Sequence, residues 1–176
     1  MDDLIDEELQ IMNEQDDGAE ISISVDIFHR PISDLKMPAV KCLDVKATIR
    51  EAVKLMQQNK MGSVVITQDK KIAGIITERD ILTKVIGIVD DLDSTPVTTV
   101  MTANPTCLLP QDHINHVMHN MHVGGYRHVP IINKEKIPIS MVSIKDVMTF
   151  ILDNFPDEVT NITAEPYRGP VSREGA

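Results

Sequence analysis

Apolar residues recur along this chain in two spacings, and the spacings alternate twice in the same order. Ile49, Ala52, Val53 and Met56 stand at i, i+3, i+4 and i+7, which puts one apolar stripe on a helix. A short strand near Lys41–Val45 precedes them. The β-branched runs Ser63–Thr67 and Ile72–Thr77 follow, joined by Gln68-Asp-Lys-Lys71, and this pattern predicts a hairpin. Ile81, Leu82, Val85 and Ile86 then share one face of a second helix. The order begins again with a helix through Ile114, Val117, Met118 and Met121. Strands at His128–Ile132 and Ile137–Ser143 flank a turn at Asn133-Lys-Glu-Lys136, and a last helix carries Val147, Met148, Ile151 and Leu152.

The repetition is literal. At an offset of 65, Pro31-Ile32-Ser33-Asp34-Leu35 falls on Pro96-Val97-Thr98-Thr99-Val100, and Cys42, Ile49, Met56, Val64 and Ile72 fall on Cys107, Ile114, Met121, Val129 and Ile137. One inserted residue brings Thr77-Glu-Arg-Asp80 onto Ser143-Ile-Lys-Asp146. Each unit reads β-α-β-β-α, an α/β (α+β) plan with helices on one face of a short sheet. A unit of about 60 residues alone leaves a sheet face uncovered and is marginal. Two units packed through their sheets as a pseudo-two-fold pair bury that face, and their seam is a natural ligand site that should occur twice. The expected divisions are an arm at 1–30, repeat one at 31–95, repeat two at 96–155 and a tail at 156–176. The stretch Asp90–Pro96 reads as the linker between repeats.

Charge separates the arm from the rest. Residues 1–20 hold nine acids and no base, whereas residues 31–176 carry 17 acids against 16 bases. The net charge of −10 therefore belongs to a solvated appendage, and nothing favours nucleic acid or an anionic membrane. Leu4, Ile5, Leu9, Ile11 and Met12 predict a short amphipathic helix ended by Gly18. Residues 22–28 alternate like a strand or strap, and the tail after Pro156 reads as largely disordered. Aromatics are 3% of the chain, so Ile, Val, Leu and ten Met must build the core. No apolar run approaches the roughly 20 residues of a membrane span, and no signal peptide is evident. Cys42 and Cys107 are expected as reduced core thiols, so the expected compartment is cytoplasmic.

The chemistry gathers where each hairpin ends. Gly74-Ile-Ile-Thr77-Glu-Arg-Asp80 and Ser140-Met-Val-Ser143-Ile-Lys-Asp146 each close a strand with a hydroxyl and set an Asp three residues on. Two readings share that geometry. In one, the hydroxyl and the acid form a capping box and nothing more. In the other, the Asp accepts ribose hydroxyls, the Thr or Ser contacts sugar or phosphate, and Arg79 and Lys145 stand beside it for phosphate. Upstream, Gly124-Gly-Tyr126-Arg127-His128-Val129-Pro130 lets backbone approach a flat base and adds Arg127 and His128 as phosphate partners. The matching stretch Lys60-Met-Gly62-Ser63-Val64-Val65 lacks that pair. His128 also reads as a half-buried strand histidine bonded to backbone.

Histidines 113, 116, 119 and 122 on one helix are neighbours only in part, and they read as a polar flank rather than a metal site. No catalytic set is apparent, neither a Gly-x-Ser-x-Gly elbow nor a Gly-rich phosphate loop with its Lys.

The doubled β-α-β-β-α unit with its Ser/Thr-x-x-Asp ending resembles the CBS domain, and two in tandem resemble the Bateman module. Val100-Met-Thr102 is similar to that family's opening. The resemblance covers about residues 31–155. It implies a non-catalytic regulatory protein that senses an adenine nucleotide (AMP, ADP or ATP) in clefts between the repeats. It implies that Asp80 and Asp146 hold ribose hydroxyls, and that Thr77 and Ser143 contact ribose or phosphate. Backbone near Cys42–Leu43, Cys107–Leu108, Ser63–Val64 and His128–Val129 is then expected around the adenine. It further implies a homodimer, helices against helices, and no cofactor. Alternatives from the same residues are a ligand-free interaction scaffold, or a sensor of S-adenosylmethionine, NAD or cyclic di-AMP. A separate protein target, reached through arm and tail, is also expected.

Overall fold

The computed structural model describes residues 25–154. The amphipathic helix expected in the arm and the tail after Pro156 lie outside the described residues. So do residues 22–24 of the expected strap, and its remainder is a 3₁₀ helix, Val25–His29, with Ile27 buried. There the Arg30 amide donates to the Ile27 carbonyl at 3.3 Å, closing the backbone locally.

In repeat one, β1 (Cys42–Asp44) leads to α1 (Ile49–Asn59) and to a hairpin of β2 (Ser63–Gln68) and β3 (Lys71–Thr77). Thr48 starts α1 with a reciprocal cap: its hydroxyl accepts from the Glu51 amide, and Glu51 accepts from the Thr48 amide at 2.8 Å. Lys60, in the left-handed region at φ 49, ends it. Ile49, Ala52 and Met56 face the core, as their spacing requires, with Val53 half-buried. Asp69 and Lys70 both take positive φ, the two-residue turn that matches strand twist. One turn, α2 (Glu78–Asp80), follows β3 and continues as a π-helical turn, Ile81–Val85. Repeat two gives β4 (Thr102–Ala103), α3 (Ile114–Gly124), β5 (His128–Ile132), β6 (Pro138–Ser143) and α4 (Ile144–Asn154).

β1 lies parallel to β2, which pairs antiparallel with β3. β5 and β6 form the equivalent hairpin, and the partner of β1 is reduced to one parallel bridge, Leu108 to Ile131. The expected pair of repeats is present, but each repeat also lends its lead segment to the other. β4, from repeat two, adds to the edge of β3 with Gly74 opposite Ala103. Ala39, from repeat one, bridges Ser140 on β6. Pro96 bridges Thr48 at the start of α1, and Pro31 bridges His113 at the start of α3. The first amides of both helices donate across the same joints, Ile49 to Thr95 and Ile114 to Arg30, each at 3.0 Å.

The core follows the exchange. Val97 and Val100 from repeat two pack with Ile49, Met56, Ile66 and Ile76 of repeat one. Ile32 is fully buried and Leu35 nearly so. Gly74 has a packing reason, since a Cβ there would come within 3.0 Å of the Thr102 carbonyl. Repeat two has Ser140 at the matching place, and its buried hydroxyl donates to the Pro38 carbonyl at 2.8 Å.

Two expectations change. Cys42 is exposed and Cys107 only half-buried, so neither is a core thiol; β1 is a three-residue edge strand whose outward positions meet solvent. The stripes on α4 and on the turn after α2 are wider than the core. Val85 and Val147 are buried, while Leu82, Ile86, Met148 and Leu152 remain exposed.

Ile32→Ala is expected to cost about 2–5 kcal/mol in denaturant unfolding, as a cavity in a filled core does. Ile88→Ala, at an exposed residue, should stay within about 0.5 kcal/mol. Similar values for both would contradict the exchanged lead as a core element.

Candidate functional site

The ends of the two hairpins supply the polar groups. Thr77 leaves β3 in extended backbone and caps α2, its hydroxyl accepting from the Asp80 amide at 3.3 Å. Asp80 Oδ2 accepts from the Thr77 amide at 2.9 Å and from its hydroxyl at 2.7 Å. Lys84 Nζ lies 2.6 Å from the other carboxylate oxygen, Oδ1. In repeat two, Asp146 Oδ2 accepts from the Ser143 amide at 2.7 Å and its hydroxyl at 2.6 Å. Both sequences therefore form capping boxes, and the two readings of this motif are not exclusive: a box holds the carboxylate in place.

Asp80 is 7% exposed. Burial pushes its pKa up, but bonding to Lys84 and Thr77 outweighs this and holds the carboxyl below its ordinary 3.8. The charge is thus maintained in a sheltered position.

A cleft of about 400 Å³ opens beside this carboxylate. Thr77, Glu78, Arg79 and Asp80 of repeat one form one side, with Gly62 and Ile75. Tyr126, Arg127, His128 and Pro130 of repeat two face them, with Gly124. The lead of repeat two, Thr102 and Asn104 to Thr106, forms the remaining wall. The cleft exists because β4 crosses onto the edge of β3 and carries that wall with it. Arg79 spans the seam, its guanidinium donating to the Gly125 carbonyl at 2.9 Å. The Tyr126 ring lies over Gly124, where a Cβ would sit 2.0 Å from the ring.

His128 has a pKa below the usual 6.5. Burial is the main cause and the Arg127 charge adds to it, while Glu78 and Asp146 pull the other way. The imidazole is therefore neutral at pH 7 and has a proton to gain when an anion arrives.

Of the residues singled out in the sequence, the cleft gathers Gly62, Thr77, Arg79, Asp80, Arg127, His128 and Pro130. Ser143, Lys145 and Asp146 do not line it, although Ser143 pairs with His128 across the hairpin. Ser63, Val64 and Val129 are buried in the strands. Cys42 and Leu43 on β1, and Cys107 and Leu108 after Thr106 in the lead of repeat two, are not among the lining residues. Sequence reading missed Glu78, Tyr126 and the wall at Thr102–Thr106. Glu78 and Tyr126 stand inside the hairpin-end motifs and Thr102 closes Val100-Met-Thr102, whereas no local signal marks Asn104–Thr106.

Partial desolvation by the surrounding protein raises the pKa of both thiols, that of exposed Cys42 included, so neither is an activated nucleophile. Among the described residues, no three His, Cys, Asp or Glu side chains group closely enough to hold a metal ion, and no helix is long and apolar enough to cross a membrane. His113 and His116 stand 5.9 Å apart between ring centres, and His29 meets His113 edge-on.

The family model for the CBS domain matches residues 32–87 and again 97–153. A CBS domain-containing protein of Arabidopsis thaliana is 35% identical over 96 residues, covering 54% of this chain and 17% of its own length. A mitochondrial CBS domain-containing protein of the same plant is 34% identical over 122 residues, covering 66% and 59%. The chain thus spans less than two thirds of either curated relative. Among solved structures, a CBS domain protein from Pyrobaculum aerophilum complexed with AMP is 28% identical with a TM-score of 0.62. That likeness covers 70% of this chain and 96% of the other.

Because His128 has its folded pKa below 6.5, the unfolded chain binds more protons in that window, and stability falls as pH drops through it. Thermal unfolding from pH 7.5 to 5 should show this slope, and His128→Gln should make it shallower. An unchanged slope would mean the imidazole is not held neutral.

Proposed function

The chain belongs to the CBS domain family, and from that premise we propose that it is a regulatory module, without catalytic activity, that binds an adenine nucleotide in the cleft between its repeats. The observation carrying this reading is one cleft that unites the Thr77–Asp80 corner of repeat one with Arg127 and His128 of repeat two. Its volume of about 400 Å³ falls within the range of small-molecule sites. Asp80 accepts from the ribose, and the phosphate of AMP, ADP or ATP lies toward Arg127 and His128. The sheltered carboxylate, held ionised at neutral pH by Lys84 and Thr77, suits a ribose hydroxyl, which donates a hydrogen bond and carries no charge. The Pyrobaculum relative, complexed with AMP, supports the same ligand class.

Binding acts as a signal only if the nucleotide favours one state of the module over another. Joining the two repeats across their seam is the means available, since cleft residues come from both. A homodimer completes the proposal. Leu82 and Ile86 in repeat one, and Met148 and Leu152 in repeat two, are exposed at matching positions, with Ile144 exposed beside them, an apolar surface that a second copy would cover. The free, protonated thiols fit the cytoplasm.

One observation favours a ligand-free scaffold: Asp80 already has partners on both oxygens. A thermal-shift series separates the readings. A nucleotide at about 100 times its Kd adds about 2.7 kcal/mol of stability. AMP, ADP or ATP should give such a shift, and Asp80→Ala should abolish it while costing about 1 kcal/mol as a lost cap. A flat response from folded protein to all three would leave the scaffold reading. Separately, Leu82→Glu with Met148→Glu should yield a monomer in sedimentation. A dimer that survives both would place the contact elsewhere.

A further inference from the structure

The two capping boxes match, but the residue one turn further on does not: Lys84 follows Asp80, and Phe150 follows Asp146. Lys84 Nζ makes two bonds at once. It pairs with Asp80 Oδ1 at 2.6 Å and donates to the Val100 carbonyl at 3.0 Å. Val100 stands at the head of the lead that becomes the cleft wall at Thr102–Thr106. Lys84 therefore registers the carboxylate against that wall.

It also uses up acceptor capacity. A carboxylate offers about four acceptor positions. Thr77 fills two on Oδ2, and Lys84 fills one on Oδ1. In repeat two, Ser143 fills the same two on Asp146 Oδ2, and among the described residues no cation pairs with its Oδ1. Phe150 occupies the place of Lys84 there and lies under the Arg30 guanidinium instead, 4.9 Å from the ring centre.

We infer that Lys84 is a positioning and specificity-determining residue, which leaves Asp80 one open acceptor and so makes its cleft read a single ribose hydroxyl rather than the diol. This rests on the adenine-nucleotide reading above. The other charged groups facing the cleft are Glu78, Arg79, Arg127 and His128, and of these Arg79 is committed to Gly125. None of them shows a bond to the Asp80 carboxylate.

The test compares AMP, 2′-deoxy-AMP and 3′-deoxy-AMP by calorimetry at one pH. It uses Asp146→Ala protein, so that any binding at the equivalent corner of repeat two does not contribute. With Lys84 present, one deoxy analogue should bind within about two-fold of AMP and the other should lose roughly ten-fold, one charge-assisted hydrogen bond. With Lys84→Met the second acceptor opens, and both analogues should lose roughly ten-fold relative to AMP. Equal losses with Lys84 present, or an unchanged pattern in Lys84→Met, overturn the inference. A second readout needs no ligand. Asp80 contributes stability above pH 3.8 that is lost as pH falls through its lower folded value. Lys84→Met should therefore move the acid limb of thermal unfolding to higher pH, and an unmoved limb refutes the positioning role. If AMP itself fails to bind, the nucleotide reading and this specificity fall together, while the acid limb still reports whether Lys84 holds Asp80.

Discussion

The structure depends on backbone hydrogen bonds that each lead segment makes with the opposite repeat. A short hairpin with one helix pair cannot close its own sheet edge or satisfy the first amides of its own helix. Here the edge of β3 is completed by Thr102–Ala103 of repeat two, and the start of α1 is met by Thr95 and Pro96, at the junction between the repeats. Arg30, Pro31 and Ala39 do the same for repeat two. Neither repeat is complete without the other, because Val97, Val100 and Ile32 are buried far from their own hairpins in sequence.

That exchange makes the cleft. The lead of repeat two has to travel past the end of β3 to reach its own repeat, and it leaves a space beside Thr77 and Asp80 with a wall of Thr102 and Asn104–Thr106. Burial there pushes a carboxyl toward its neutral form. Thr77 and Lys84 keep it ionised, so helix capping and ligand readiness are one arrangement. Opposite, His128 is held neutral by burial and by Arg127, which leaves the cleft with an uncharged acceptor of protons at its cationic end.

Duplication fixed the plan of both halves but not their chemistry. Gly74 and Ser140 solve the same crossing differently, one by omitting a side chain and the other by bonding it to Pro38. Gly62 and Ser63 stand where repeat two has Arg127 and His128, and Lys84 stands where it has Phe150. The half carrying the anchored carboxylate and the half carrying the cations meet in one cleft, so a single ligand touching both would sense the joint between them.

Periodicity alone determined α1, α3, α4 and the hairpins, though not the π turn that replaces a regular helix at Ile81–Val85, because Ile49-Ala52-Met56 and Ser63–Gln68 form through contacts a few residues apart. The Thr77–Asp80 and Ser143–Asp146 boxes were legible for the same reason, and Arg127 and His128 stood out by their absence from repeat one. Only the tertiary structure decided which carboxylate faces which cations, since that depends on leads crossing between repeats through backbone bonds that carry no side-chain signature. It alone decided that Cys42 lies outside the core and that Leu82, Ile86, Met148 and Leu152 remain uncovered, because an apolar stripe records a preference for burial but not how much surface a partner supplies.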